Sequence, residues 1–138
     1  MVYNSYKTNS HSRFLLQFHL ILVCKYRKKL LCSGNISSDI KRLSAEICKR
    51  HRVIIRYMEA DKDHIHYMLE TEPNINLSAL VRTIKAFTTY HIWEKYPQYL
   101  SGCIWNKHTF WNDGYFIASV GNVSEAVLRE YIHNQGKE

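Results

Sequence analysis

Apolar residues crowd the stretch from about Arg13 to Cys24, which predicts a buried strand. A turn is expected at Gly34-Asn35. Ile36, Ile40, Leu43 and Ile47 then recur at helical spacing, so residues 37 to 51 read as an amphipathic helix capped by Ser37 or Ser38. Arg52 to Ala60 reads as a second strand centred on Val53, Ile54 and Ile55. Asp61-Lys62-Asp63 forms the expected hairpin turn into a third strand ending near Glu70. Pro73, set among asparagine and threonine, breaks that strand. Leu77, Leu80, Val81, Ile84, Phe87 and His91 make a second helical stripe, from about residue 77 to Lys95, and Pro97 ends it. Residues 103 to 120 carry Trp105, Phe110, Trp111, Tyr115 and Phe116 and predict two short strands around a turn at Asn112-Asp113-Gly114. The aromatics are expected to serve core packing and strand pairing, with base stacking as the alternative. Asn122 is the expected cap of a last helix, with Glu125 placed as its capping-box partner. Along that helix Val127, Tyr131 and Gln135 share one stripe, and Leu128 and Ile132 form the adjacent apolar one.

This order is close to βαββαβ. It predicts an α+β fold, a ferredoxin-like or RRM-like antiparallel sheet with helices on one face and a C-terminal helix carrying Tyr131. No linker, repeat or shift in composition divides residues 1–138, so a single domain is expected. Strand side chains alternate, so His64 and His66 point one way and Ile65, Tyr67 and Leu69 the other. Helices covering the isoleucine face leave the histidines on the opposite, open face.

Charge changes the picture by adding a partner. The formal net charge is +7, which favours a polyanionic partner. Lys25-Tyr26-Arg27-Lys28-Lys29 reads either as a solvated basic strand end or as a phosphate-binding ridge with Tyr26 free to stack on a base; Arg82 and Lys85 are expected on an exposed helix flank. Cys24, Cys32, Cys48 and Cys103 show no metal or redox spacing and are expected as reduced, mostly buried thiols. The longest apolar stretch, Phe18 to Cys24, is too short to span a bilayer and includes His19. The N-terminal residues lack a leader's apolar run. A cytoplasmic protein is the expectation, with no membrane contact.

Two imidazoles on one strand face make half of a metal site. Beside Asp63 and Glu70 they suit a divalent ion that polarises a phosphodiester oxygen. Imidazole alone favours Mn²⁺ or Zn²⁺ over Mg²⁺, and a neutral amide oxygen such as that of Gln135 would complete a site for a harder ion. Tyr131 is either an ordinary half-buried helix residue or a phosphoryl acceptor, because an aryl oxygen forms a covalent ester and leaves again more readily than an alkoxide.

Asp63-His64-Ile65-His66, the segment Gly114-Tyr115-Phe116-Ile117-Ala118-Ser119-Val120-Gly121 and the end Tyr131-Ile132-His133-Asn134-Gln135 together resemble the single-tyrosine HUH transposases of the IS-two-hundred/IS-six-oh-five insertion-sequence group. Val23-Cys24-Lys25-Tyr26-Arg27-Lys28 is similar to that family's first-strand exit, and the likeness spans about residues 14 to 135. The resemblance implies that His64, His66 and Gln135 ligate Mg²⁺ or Mn²⁺. It implies that Tyr131 attacks single-stranded DNA to give a 5′-phosphotyrosine and a free 3′-OH, a step later reversed to join strands. A homodimer and recognition of hairpins near the element ends are implied as well, with Lys25, Tyr26, Arg27, Lys28, Lys29, Arg82 and Lys85 as the candidate DNA surface. The competing readings are a non-catalytic RRM-like nucleic-acid binder or repressor, and a metal-dependent nuclease that uses water.

Overall fold

The computed structural model describes residues 15–104, 108–121 and 124–134. Its elements are β1 (Leu16–Val23), α1 (Gly34–Arg50), β2 (Ile54–Ala60), β3 (His64–Thr71), α2 (Leu77–Lys95), α3 (Pro97–Cys103), β4 (Phe116–Ser119) and α4 (Glu125–Asn134). The four strands form one sheet in the order β2-β3-β1-β4, antiparallel throughout. This is the expected α+β, ferredoxin-like arrangement. β3, which carries the histidines, is an inner strand braced by β1 on one side and β2 on the other.

Alternation along the inner strands divides the molecule into two cores. Leu20, Leu22, Ile65, Tyr67 and Leu69 face one way and pack with Ile36, Ile40, Leu43 and Ile47 of α1 and Leu80, Val81, Ile84 and Ile92 of α2. Within this core the Tyr67 hydroxyl lies 2.8 Å from Ser44 Oγ, and Trp111 Nε1 donates to Thr88 Oγ1 at 3.0 Å, so these buried polar atoms keep partners. Phe110 and Trp111 are buried here too, as expected of core aromatics. The opposite face holds Ile21 and Val23, and α4 covers them with Leu128, Ile132 and Tyr131. The histidine face is therefore roofed by the terminal helix rather than open.

Local chemistry departs from the expected pattern at several joins. α1 begins at Gly34 rather than after a turn there, because Ser33, not Ser37 or Ser38, caps it: Ser33 Oγ accepts from Ile36 N at 3.4 Å. The helix ends in a Schellman motif, with Val53 N bonded to Cys48 O and Arg52 N to Lys49 O, which puts Arg52 in the left-handed region at φ +60°. Pro97 opens α3 instead of merely ending α2, in keeping with proline's fixed φ and missing donor at a first helical turn. Among the described residues before Asn112 there is no partner strand for β4. Trp111 makes a single bridge to Cys24, and β4 pairs with β1 instead. Trp105, Asn122 and Gln135 lie outside the described residues; Ser124 Oγ accepts from Val127 N at the start of α4. The cysteines are free, with Cys24 and Cys48 buried. Among the described residues no helix is long and apolar enough to cross a membrane.

Candidate active site

Four register-matched residues cross the sheet beneath α4: Phe116 of β4 pairs with Ile21 of β1, Ile21 with His66 of β3, and His66 with Glu59 of β2. Val23 pairs with His64 in the next row of that face. The strand period thus sets both imidazoles beside the apolar patch on which the terminal helix rests. A cleft of about 390 Å³ opens there between β2, β3 and α4. His64, His66, Glu59 and Asp61 line it from the sheet, and Glu125, Leu128, Arg129 and Ile132 from the helix.

Each imidazole has a partner on one ring nitrogen. Asp63 Oδ1 stands 3.0 Å from His64 Nδ1. A carboxylate holding one nitrogen orients the ring and leaves Nε2 as the ligating atom, which is how metal-binding histidines are usually supported. His66 Nε2 lies 2.9 Å from His19 Nδ1, and the edge of Tyr57 meets the His66 ring at a centroid distance of 5.5 Å. Burial lowers the pKa of His66, and the neighbouring His19 adds to the effect. The shift favours the neutral imidazole, the form that ligates. Burial works against the charge of Asp63, yet the hydrogen bonds from His64 and Arg27 outweigh it and keep the carboxyl below the usual carboxylate range.

His19 and Arg27 complete the surroundings in ways that sequence reasoning missed. His19 shares a face with Ile21 and Val23 by strand alternation, so it could have been found once β1 was paired with β3. In the sequence Arg27 is one member of a basic run; in the fold its Nε donates to Asp63 Oδ2 at 2.9 Å and its Nη1 donates to His133 O at 3.1 Å. Residues 25–27 form a single 3₁₀ turn, in which Tyr26 and Arg27 both have positive φ, at 56° and 53°. Such a conformation costs a non-glycine residue about 1–2 kcal/mol. It turns the chain back from the strand end, so the run is a folded corner rather than an extended ridge.

The other candidate DNA contacts are dispersed. Tyr26, Lys28 and Lys29 are exposed on the corner, and Lys25 pairs with Asp113 at 3.4 Å. Arg82 is exposed on α2. Lys85, expected on the same exposed flank, is half-buried: its Nζ donates to the carbonyls of Asn112 and Asp113, and burial lowers its pKa. Arg82 and Lys85 border a larger cavity of about 900 Å³ between α2 and residues 108–115, lined also by Trp93 and Trp111. This space lies on the α2 side of the sheet and contains neither His64 nor His66, so the smaller cleft is the one with the candidate chemistry.

Tyr131 is on α4, and its ring rests on Phe116 at a centroid distance of 5.0 Å. Phe116 is on β4, whereas the imidazoles belong to β3, two strand spacings away or roughly 10 Å. The structure thus brings His64, His66 and the tyrosine-bearing helix to one face. Among the described residues, no group of three or more His, Cys, Asp or Glu side chains is placed to hold a metal ion. A metal here would need a donor beyond the two imidazoles. The pair itself fits that role, having both rings on one face and His64 oriented by a carboxylate.

A four-stranded antiparallel sheet, two helices on one face and a tyrosine-bearing helix laid over a histidine pair on the other define a class of α+β protein with its chemistry between sheet and terminal helix. The chain belongs to the IS200-like transposase family, whose model matches residues 12–135. It is 28% identical over 122 residues to the ISDra2 transposase TnpA of Deinococcus radiodurans, covering 88% of this chain and 85% of that one. It is 25% identical over 132 residues to the transposase of insertion sequence element IS200 from Salmonella typhimurium, covering 96% and 84%. In fold it matches the crystal structure of a candidate transposase from D. radiodurans, with a TM-score of 0.83, 23% identity and coverage of 94% of this chain and 97% of that one. A REP-associated tyrosine transposase bound to a REP hairpin matches with a TM-score of 0.55 and 14% identity, over 91% of this chain and 67% of that one.

Proposed function

We propose that this transposase cleaves and rejoins single-stranded DNA through a covalent bond to Tyr131. The observation that carries the proposal is the shared face: His64 and His66 line one cleft with α4, the helix on which Tyr131 sits. Family membership supports the reaction class.

In the proposed step the Tyr131 oxygen gives up its proton and bonds to the scissile phosphorus. The bond from phosphorus to the 3′ oxygen breaks, and that oxygen leaves with a proton as a 3′-OH. The 5′ end remains on the protein as a phosphotyrosine ester. Attack on the ester by another 3′-OH reverses the exchange and seals the strands, so one bond forms for each that breaks and no nucleotide hydrolysis is needed.

His64 and His66, with Gln135 as the third donor, would hold Mg²⁺ or Mn²⁺, which when bound supplies a positive charge that polarises a non-bridging phosphate oxygen. Asp63 keeps His64 in its ligating orientation, and His19 does the same for His66. Tyr131 leaves its rest on Phe116 to reach a phosphate in the cleft. The exposed Lys28, Lys29 and Arg82, with Lys25, Tyr26, Arg27 and Lys85, form the proposed DNA surface, on which cations neutralise phosphates and Tyr26 stacks on a base. Hairpins near the element ends are the proposed substrate, a reading supported by the hairpin bound to the REP-associated relative. A homodimer is proposed on family grounds.

The test is incubation with single-stranded hairpin DNA from the flanks of the gene, with and without Mn²⁺, followed by denaturing electrophoresis. A metal-dependent protein–DNA adduct is expected from the wild type and none from Tyr131→Phe, with hairpin binding retained by both. An adduct from the phenylalanine variant removes Tyr131 as nucleophile. Cleavage without an adduct points to water as the attacking group, and binding without cleavage to a non-catalytic binder.

A further inference from the structure

We infer that Arg27 is a positioning residue that ties the C-terminal turn of α4 to the Asp63–His64 pair, so that docking of the tyrosine helix and orientation of a ligating imidazole depend on one guanidinium. The inference rests on the reading of His64 as a metal ligand.

Three contacts in series carry it. Arg27 Nη1 donates to His133 O at 3.1 Å. Arg27 Nε donates to Asp63 Oδ2 at 2.9 Å. The other oxygen of the same carboxylate, Oδ1, lies 3.0 Å from His64 Nδ1. The carboxylate is thus held from both sides, and one of the two holds is Arg27. His133 is on α4, so the first of these contacts reaches the tyrosine helix itself.

Among the described residues the apolar part of the docking is slight. Leu128 is the buried side chain of α4, and Tyr131 and Ile132 are only partly covered. A charge-assisted hydrogen bond at the end of so small an apolar contact carries more weight than it would on a deeply packed helix. The backbone is arranged to deliver it. Arg27 N bonds to Cys24 O and Lys28 N to Lys25 O, closing the left-handed corner that aims the side chain back under α4. Lysine, with a single charged nitrogen, cannot reproduce the fork.

The test compares wild type, Arg27→Lys, Asp63→Asn and the double variant without DNA, measuring Mn²⁺ affinity by titration calorimetry and amide exchange across residues 125–134. Arg27→Lys and Asp63→Asn are each expected to weaken Mn²⁺ binding about tenfold. The double variant should be no weaker than the worse single one, because both changes break the same chain of contacts. Exchange in α4 should speed up in Arg27→Lys, which keeps the charge but loses the fork. Mn²⁺ affinity equal to wild type in Arg27→Lys overturns the inference, as do losses that simply multiply in the double variant. So does a loss confined to hairpin binding with Mn²⁺ affinity and α4 exchange unchanged, which would leave Arg27 as a phosphate contact alone. If wild type itself binds no Mn²⁺ and forms no adduct, the proposed function falls and takes this inference with it. If wild type does both and Arg27→Lys matches it, the inference alone falls.

Discussion

His19 Nδ1 lies 2.9 Å from His66 Nε2, joining β1 to β3 on the face that α4 covers. With one proton shared between these two nitrogens, the contact fixes the ring orientation of His66, as Asp63 fixes that of His64. The two imidazoles are thus supported differently, one by a carboxylate and one by another imidazole.

That difference gives the first prediction. His19→Phe keeps an aromatic ring on β1 but removes the hydrogen bond. Mn²⁺ binding is expected to weaken roughly tenfold, the usual scale for losing a group that orients a ligand, while global stability changes by less than about 1 kcal/mol. Titration calorimetry beside chemical denaturation separates the two. Unchanged Mn²⁺ affinity would mean that His66 is held by packing alone.

Much of this was legible in the chain, and what was not has identifiable causes. The period-two pattern placed His64 and His66 on one face, and the 3.6-residue stripe gave α2 its bounds at Leu77 and Lys95. β1 could be read as a strand, but His19 could not be assigned to the site until its neighbour was known, because pairing register is a property of two segments. Arg27 was hidden for a similar reason: its partners Asp63 and His133 lie 36 and 106 residues away. The missed α3 followed from reading Pro97 only as a stop, although proline also starts helices. An apolar stripe on α4 was visible in Leu128 and Ile132, but which surface it would cover was not.

Leu128 sets the strength of that cover. Leu128→Ala removes the one buried side chain of α4 from its contact with Ile21 and Val23, at a cost of about 2 kcal/mol, the lower end for such truncations because the site is at the edge of the fold. The loss is expected to be local. Amide exchange over residues 125–134 should accelerate by about thirtyfold, which is 2 kcal/mol expressed as a rate ratio, while amides of β1 and β3 keep their protection. Equal acceleration in all three would show that α4 unfolds only together with the sheet.

Arg52 offers a stabilising change. It occupies the left-handed position of the Schellman motif that ends α1, where glycine is preferred, and its side chain is exposed. Relief of left-handed strain, of about 1–2 kcal/mol, is partly offset by the greater freedom of glycine in the unfolded chain. Arg52→Gly is therefore expected to raise stability by about 0.5–1 kcal/mol, measured as a higher denaturation midpoint at unchanged slope. A lower midpoint would show that the Arg52 side chain contributes more than its exposure suggests.

Acid stability should depend on Asp39, which joins α1 to the end of α2. Its carboxylate accepts from Tyr96 Oη and from Lys95 Nζ, the latter at 2.9 Å, and Arg42 lies 3.5 Å away. The hydrogen bond from Tyr96 is the largest influence, with Lys95 and Arg42 acting the same way, and together they hold the carboxyl below its ordinary value against the opposing effect of burial. A folded pKa below the unfolded one means that the native state binds the proton less well. The contribution is complete above the unfolded value of about 3.9 and is lost as the pH falls through the lower folded value. Asp39→Asn should therefore be less stable than wild type at pH 6, and the gap should narrow as the pH falls below about 4. Urea denaturation of both proteins between pH 2 and 7 at constant ionic strength, using roughly half-unit steps, measures the gap directly. A gap that stays constant down to the lowest pH would assign the effect of Asp39 to packing and neutral hydrogen bonds rather than to its charge.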